Sequence, residues 1–289
     1  MRITLKQLRV FAAVARFENM TQAAEDIALT QSAMSMALKE LESQLNAPLF
    51  HRYGKRIKLN HKGESLLPKV LQILQLAQEI EYQAGLDSVA GLLRVGASST
   101  IGNYLVPAII ADFLKQQDAI DIDLKVGNTQ QVIQDVLHHR LDIGLIEGLC
   151  DEPQIERIPW KEDELVVFAS ANHPLAKKSL LTVDDLKKVQ WILREAGSGT
   201  REIFSHALGG KFQPEQRILE LGNTEAIKQA VKTGFGISCL SKLAIASEVK
   251  YKELVVLPVE GINLKRQFFI IKHQVHTDNS LIEIFEEAL

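Results

Sequence analysis

The chain has 289 residues, enough for about two domains at ~150 residues each. Its 46% hydrophobic and 24% charged residues, with 17 Gly and 8 Pro, are those of an ordinary globular protein and exclude disordered, collagenous and repetitive classes. The net charge of -3 argues against a nucleic-acid partner, which needs excess Lys and Arg, but that average hides a division. Up to Lys62 there are ten Lys and Arg against five Asp and Glu, a head of +5; the remaining 23 basic and 31 acidic residues make a body of -8. Such asymmetry points to a nucleic-acid-contacting segment joined to a part with another task. Cys150 and Cys239 are far apart and in neither a C-x-x-C nor a zinc spacing, so no disulfide framework is expected and a reducing cytoplasm is. The N-terminus lacks a signal-peptide core and no apolar run approaches the ~18 residues of a membrane span, so a soluble, cytoplasmic protein is expected.

In the head, residues 1–62, the spacing of Leu5, Leu8, Phe11, Ala12 and Ala15 predicts a helix over Thr4 to Phe17, ended by Glu18 and Asn19. Asn19 or Thr21 then caps a short second helix whose Ala23 and Ala24 allow close crossing. A third helix starts at Gln31, with Ala33, Met34, Leu38, Leu41 and Leu45 inward and Gln31, Ser32, Ser35, Met36 and Lys39 free to face outwards. This is a helix-turn-helix. After Pro48, HRYGKRIKLN reads as a tight basic hairpin turning at Gly54, a wing. Short polar groups at the start of the third helix suit base edges in the major groove, while Arg52, Lys55, Arg56 and Lys58 suit phosphates or a narrow minor groove. A three-helix protein-interaction domain with a solvated basic face is the alternative on pattern alone.

The segment QLRVFAAVARFENMTQAAEDIALTQSAMSMALKELESQLNAPLFHR resembles, position after position, the N-terminal winged helix-turn-helix of LysR-type transcriptional regulators. The resemblance implies double-stranded operator DNA as partner. It places Thr21, Gln22, Thr30, Gln31, Ser32, Ser35, Met36 and Lys39 on the DNA side, with Arg52, Lys55 and Arg56 of the wing. One departure is Asn60-His61-Lys62-Gly63, where the family more often has Thr-x-Ala-Gly.

Across residues 63–88, Leu66, Val70, Ile73, Ala77, Ile80 and Ala84 recur at heptad a/d spacing, with Leu67, Leu71 and Leu74 widening the face. A helix buried on its own domain is one reading. A helix that pairs with its symmetry mate and sets two half-sites apart is the other, and its place after a DNA-binding head favours a homodimer. The family resemblance implies tetramers built from such dimers and makes RNA polymerase a further candidate partner.

The body, residues 91–289, alternates strands and helices. LLRVGA, a helix from about Leu105 to Leu114, IDLKVG, a helix from Gln130 to His139 and DIGLIEG form a parallel βαβαβ run. LVVFAS, WILR, a helix from Thr200, ILELG, a helix from Thr224 to Lys232, ISCL and LVVLPV form a second set, followed by the strand QFFIIKH and the helix LIEIFEEAL. Two α/β lobes result, one about 91–162 with 267–289 and the other about 163–266, with the chain crossing between them around a hinged cleft. The whole body resembles the periplasmic-binding-protein-like effector domain of the same family.

Ser98, Ser99 and Thr100 follow the first body strand and open a helix. Gly197, Ser198, Gly199, Thr200 and Arg201 repeat that arrangement in the second lobe, and Asn128-Thr129 and Asn223-Thr224 stand at matching places. Hydroxyls and free backbone N–H groups at strand ends suit an anionic effector, although helix capping explains each loop singly. Glu147 would repel a bare anion, so a ligand that keeps a hydrogen-bond donor is expected: bisulfite, a hydrogen phosphate or an amino acid. Arg194 and Arg201 can supply positive charge, with a surface position as the equal alternative. ASSTIGNYLVPAII, DIGLIEG and WILREAGSGTRE resemble a family subgroup for which a sulfur oxyanion such as sulfite is the implied effector. No G-x-S-x-G, G-x-x-x-x-G-K-[ST] or H-E-x-x-H occurs, so no enzyme, catalytic residue, cofactor or metal is expected, the pairs His138-His139 and His273 with His276 included. The competing readings are a thiol-redox-sensing regulator through Cys150 and Cys239, and a small-solute-binding protein with no DNA role, against which the basic head argues.

Overall fold

The computed structural model describes residues 3–53, 56–83, 91–209, 218–274 and 280–289. Gly54, Lys55, Ala84 with the stretch to Ser88, and His276 lie outside the described residues, as does the side chain of Arg56. Among the described residues no helix is long and apolar enough to cross a membrane.

The head is α1 (Leu5–Phe17), α2 (Met20–Asp26), α3 (Gln31–Gln44) and a hairpin of β1 (Phe50–Tyr53) and β2 (Arg56–Leu59). Each helix begins where a side chain can take up an orphan N–H. Thr4 forms a reciprocal capping box with Gln7, Asn19 accepts from Thr21 and Gln22, and Thr30 accepts from Ala33. Phe11, Val14, Ala23, Met34, Leu38 and Leu41 make a fully enclosed core, with the Phe11 and Phe50 rings 5.5 Å apart. The Ile57 N–H donates to the Glu18 carbonyl (3.2 Å), so the wing hangs from the end of α1.

The unusual Asn60 caps the next helix. Its Oδ1 accepts from the Gly63 N–H (2.9 Å) and its Nδ2 donates to the Pro48 carbonyl (2.8 Å). That helix, α4 (His61–Gln83), contains Pro68, which removes one internal hydrogen bond. Its apolar stripe serves two purposes rather than one. Leu67 and Val70 are buried in the head core and Leu66, Leu71 and Leu74 pack against it, whereas Ile73, Leu76 and Ile80 are 45%, 52% and 69% exposed. The single dimer seam read from the heptads is therefore corrected: its first turns cover the head of the same chain, because the three short helices leave a core too small to close without them.

The body follows as β3 (Gly91–Ser98), α5 (Ser99–Tyr104), α6 (Val106–Leu114), β4 (Ile120–Gly127), α7 (Thr129–Leu137) and β5 (Ile143–Glu147). Then come β6 (Ile155–Ser170), α8 (Val183–Lys187), β7 (Ile192–Leu193), α9 (Gly199–Ala207), β8 (Leu219–Glu220), α10 (Thr224–Lys232), β9 (Ser238–Ser241), α11 (Lys242–Lys250), β10 (Leu254–Val256), β11 (Lys265–His273) and α12 (Ser280–Ala288). The strands β4, β3 and β5 are parallel, as the βαβαβ pattern requires, and β11 closes that sheet antiparallel to β5. The long β6 was legible only in its second half. Its first half, up to Glu164, pairs with β11 in the first sheet, and its second half pairs with β9 and β10 in another. One strand thus joins two sheets, and β11 runs beside it at the crossing. The expected single helix near Leu105 is two, broken at Leu105 ahead of Pro107, and α11 adds a helix the pattern did not reveal.

A Cβ at Gly63 would lie 2.3 Å from the Leu49 carbonyl oxygen, in rigid backbone. Gly63→Ala is expected to destabilise the head by about 1–3 kcal/mol, read from the shift of its denaturant midpoint with an unchanged midpoint for the body.

Candidate functional site

The carboxyl ends of β3 and β5 and the start of α9 meet where β6, with β11 alongside, crosses between sheets, and polar side chains fill that meeting point. Glu147, at the end of β5, is 1% exposed. The hydroxyl of Ser98 donates to one of its carboxylate oxygens and that of Thr100 to the other (3.2 Å). Opposite stands Arg266, 6% exposed. Its Nε donates to Asp163 (2.6 Å), its Nη1 to Thr200 (3.0 Å) and its Nη2 to Thr100 (3.1 Å), and Nη1 lies 3.8 Å from the Glu147 carboxylate. The other oxygen of Asp163 accepts from Ser241 (2.7 Å). One guanidinium therefore touches β3–α5, α9 and the crossing strand. A buried charge of this kind persists only when paired and hydrogen-bonded. Beside it the hydroxyl of Ser198 is buried with no hydrogen-bond partner among the described residues.

The lobes meet closely here. Thr129, at the start of α7, donates to the Glu147 carbonyl (2.6 Å) and accepts from the Gly199 N–H (3.3 Å), while the Gln130 N–H donates to the Gly197 carbonyl (3.1 Å). Any Cβ on Gly199 would stand 2.0 Å from the Glu147 carbonyl oxygen, so only glycine permits this approach.

Ser98, Thr100, Thr129, Glu147, Gly197, Ser198, Gly199 and Thr200 of the expected set thus come together. Ser99, Asn128 and Asn223 line a separate, outer cavity of about 420 Å³ with Asn103, Glu195 and Thr224. Asn128 and Asn223 also cap α7 and α10. Arg194 and Arg201 do not supply charge to this buried cluster. The Arg194 guanidinium is bound in a two-pronged pair to Glu195 (2.7 and 2.8 Å) and reaches Ser99 (3.1 Å), and Arg201 turns to Glu220 and the Arg194 carbonyl. Burial pushes the Glu195 carboxyl up, but the hydrogen bonds and charge of Arg194 outweigh it and hold the group below its ordinary range. The cation that faces Glu147 is Arg266, which the motif search missed. Across the cleft, Tyr104 at the end of α5 is hydrogen-bonded to Lys228 of α10, which pairs with Glu248 of α11 at 2.8 Å.

On the head, Thr21, Gln22, Thr30, Gln31, Ser32, Met36, Lys39 and Arg52 are exposed and Ser35 is half-buried, with Met36 at 73%. The start of α3 and the Arg52 position of β1 thus present these side chains to solvent.

Both thiols are buried, Cys150 beside α7 and Cys239 in β9, and burial pushes each thiol up. That is opposite to the electropositive, partly exposed setting of a reactive cysteine. Ellman's reagent at pH 8 is expected to label neither in the native chain within minutes and both after denaturation. Gly199→Ala should force the lobes apart at a cost of about 1–3 kcal/mol, measured as a lower unfolding midpoint of the body alone.

Two family models account for nearly the whole chain. Residues 5–64 match the bacterial regulatory helix-turn-helix protein model of the lysR family, and residues 87–289 match the LysR substrate binding domain. The HTH-type transcriptional regulator YeiE of Escherichia coli (strain K12) is 46% identical over 282 residues, covering 97% of this chain and 95% of YeiE. A full-length OxyR variant from Pseudomonas aeruginosa superposes with a TM-score of 0.75 at 24% identity, over 100% of this chain and 95% of OxyR. The regulatory domain of Synechocystis PCC6803 CcmR, solved in complex with 2-PG, gives 0.61 at 30% identity over 68% of this chain and 97% of that domain. With a winged head, a two-sheet body and these matches along its length, the chain belongs to the LysR family of bacterial helix-turn-helix transcriptional regulators.

Proposed function

We propose that this cytoplasmic regulator senses a small oxyanion that keeps an acidic proton, with hydrogen sulfite first among candidates, in the inner pocket between its lobes. The observation that carries the reading is the enclosed pairing of Arg266 with Glu147, 3.8 Å apart and ringed by hydroxyls of both lobes. The remaining N–H groups of the guanidinium and the hydroxyls of Ser198 and Thr200 can donate to anionic oxygens, and those of Ser98 and Thr100 can do so by turning away from Glu147. Glu147 can only accept, and it repels a fully ionised oxyanion. A ligand with one O–H and several O⁻ edges meets both demands, whereas sulfate does not. The ligand bound to the related CcmR domain supports a small molecule in this body.

Because the hydroxyls come from both lobes, a ligand that they grip binds the closed form better and shifts the population towards it. The exposed Ile73, Leu76 and Ile80 of α4 would bury themselves against the same stripe of a second copy, so closure of paired bodies changes the spacing of two heads on a two-fold operator.

Calorimetric titration of the full chain near neutral pH should give saturable heat with sulfite and none with sulfate. Ser98→Ala or Thr100→Val should weaken binding by about 1–3 kcal/mol. Equal binding of sulfate would sink the proposal. Ile73→Lys with Leu76→Lys and Ile80→Lys is expected to reduce the sedimenting mass while leaving the head folded; unchanged mass would move the dimer contact elsewhere. Operator affinity should fall steeply as salt rises, and Arg52→Ala should flatten the slope by about one counterion.

A further inference from the structure

Arg266 and Asp163 face each other as cross-strand partners in β11 and β6, one rung before Lys265 and Glu164, after which β6 leaves β11 for the second sheet. Their side chains meet inside the molecule at 2.6 Å, both nearly inaccessible to water. Nothing in the sensing scheme so far requires Asp163, since Arg266 already has hydroxyl acceptors and a nearby carboxylate. A second acid beside the guanidinium of this pocket even weakens its pull on an anion.

What Asp163 does is geometric. Glu147 stands 3.8 Å from Nη1, a little too far for a hydrogen bond, although two opposite charges buried this closely attract strongly. Unrestrained, the guanidinium fork would turn and close on Glu147 as a two-pronged ion pair, the preferred geometry of these groups. Both would then be spent on each other. Three contacts prevent that turn: Nε is held by Asp163, and the two ends of the fork rest on Thr100 and Thr200. The hydroxyls can rotate to new partners, so they restrain weakly. Asp163 cannot, because its second oxygen is fixed by Ser241, the residue that also caps α11 by accepting from Leu243.

We infer that Asp163, braced by Ser241, is the positioning residue of the effector pocket: it holds the Arg266 guanidinium off Glu147, so that Arg266 keeps free N–H donors, and Glu147 a free acceptor, for the ligand. The inference rests on the oxyanion reading for its consequence but not for its geometry. It also fixes the route by which the site reaches the second lobe, through Asp163 and Ser241 to the start of α11.

The test pairs a crystal structure with a titration. In the full-length Asp163→Asn variant, which keeps shape and loses charge, Arg266 should be found in a two-pronged pair with Glu147, and sulfite affinity should fall by at least about tenfold. Ser241→Ala leaves both charges in place and removes the brace together with the α11 cap; it should show a smaller loss of sulfite affinity and serves if Asp163→Asn does not fold. An Arg266 fork still resting on Thr100 and Thr200 in the variant structure, or sulfite affinity unchanged in both variants while the unsubstituted chain binds, overturns the inference. If the unsubstituted chain binds no sulfite, the ligand reading fails, and the Arg266 to Glu147 distance in the variant still decides the role of Asp163.

Discussion

A charge buried in a protein interior has to be surrounded before it can be tolerated, and in this body the surroundings of one guanidinium draw the chain together. Arg266 sits on β11 beside the point where β6 passes between sheets, and the groups that hold its fork belong to different pieces: Thr100 to the first lobe, Thr200 to the second, Asp163 to the crossing itself. The desolvation cost of the ion is met only while all three stay in place. The relative position of the lobes is therefore part of what keeps the arginine satisfied, and a ligand that supplies new acceptors to the fork competes directly with that arrangement. The close approach at Gly199 is compatible with this, since the backbone of α9 can reach the end of β5 only where no side chain intervenes.

The layout of head, helix and two-lobed body was legible because it rests on local signals: caps before helices, alternation in strands, turn residues between them. Ser98, Thr100, Glu147 and the Gly197 to Thr200 loop could be named from their places at strand ends. Arg266 could not, because the strand was read from Gln267 onward and the pairing that buries Arg266 joins residues 103 positions apart. One signal was present: in β11, Arg266 falls in step with the buried Phe268 and Ile270, and a charge at an inward position demands a partner. The first half of β6 was hidden for a related reason. Its Glu156, Trp160, Lys161, Glu162 and Asp163 give no apolar run, since one face is covered only by distant elements. The heptads of α4 were real as a pattern but silent about which surface each turn would meet.

The division of charge acquires a physical sense from the fold. The basic head offers cations outward, on α3 and the wing, where counterion release can act. The acidic body keeps Arg266 inward, hidden from solvent, so the anion affinity proposed for it would depend on preorganised donors and not on the field of the surface. The two halves can hold opposite net charge without working against each other.

Val70 is shared property: it lies in α4 yet completes the core of the head. The helix is consequently an extension of the DNA-binding module, stiffly keyed into it, and not a tether. From Gln75 to Gln83, beyond the last side chain packed on the head, it projects roughly 13 Å at 1.5 Å per residue. A tilt of about 10° at one end would displace the other by roughly 2 Å, to be set against the ~34 Å repeat between successive major-groove half-sites. Under the proposed mechanism a change of angle in the body would reach DNA with a leverage set by the length of one helix.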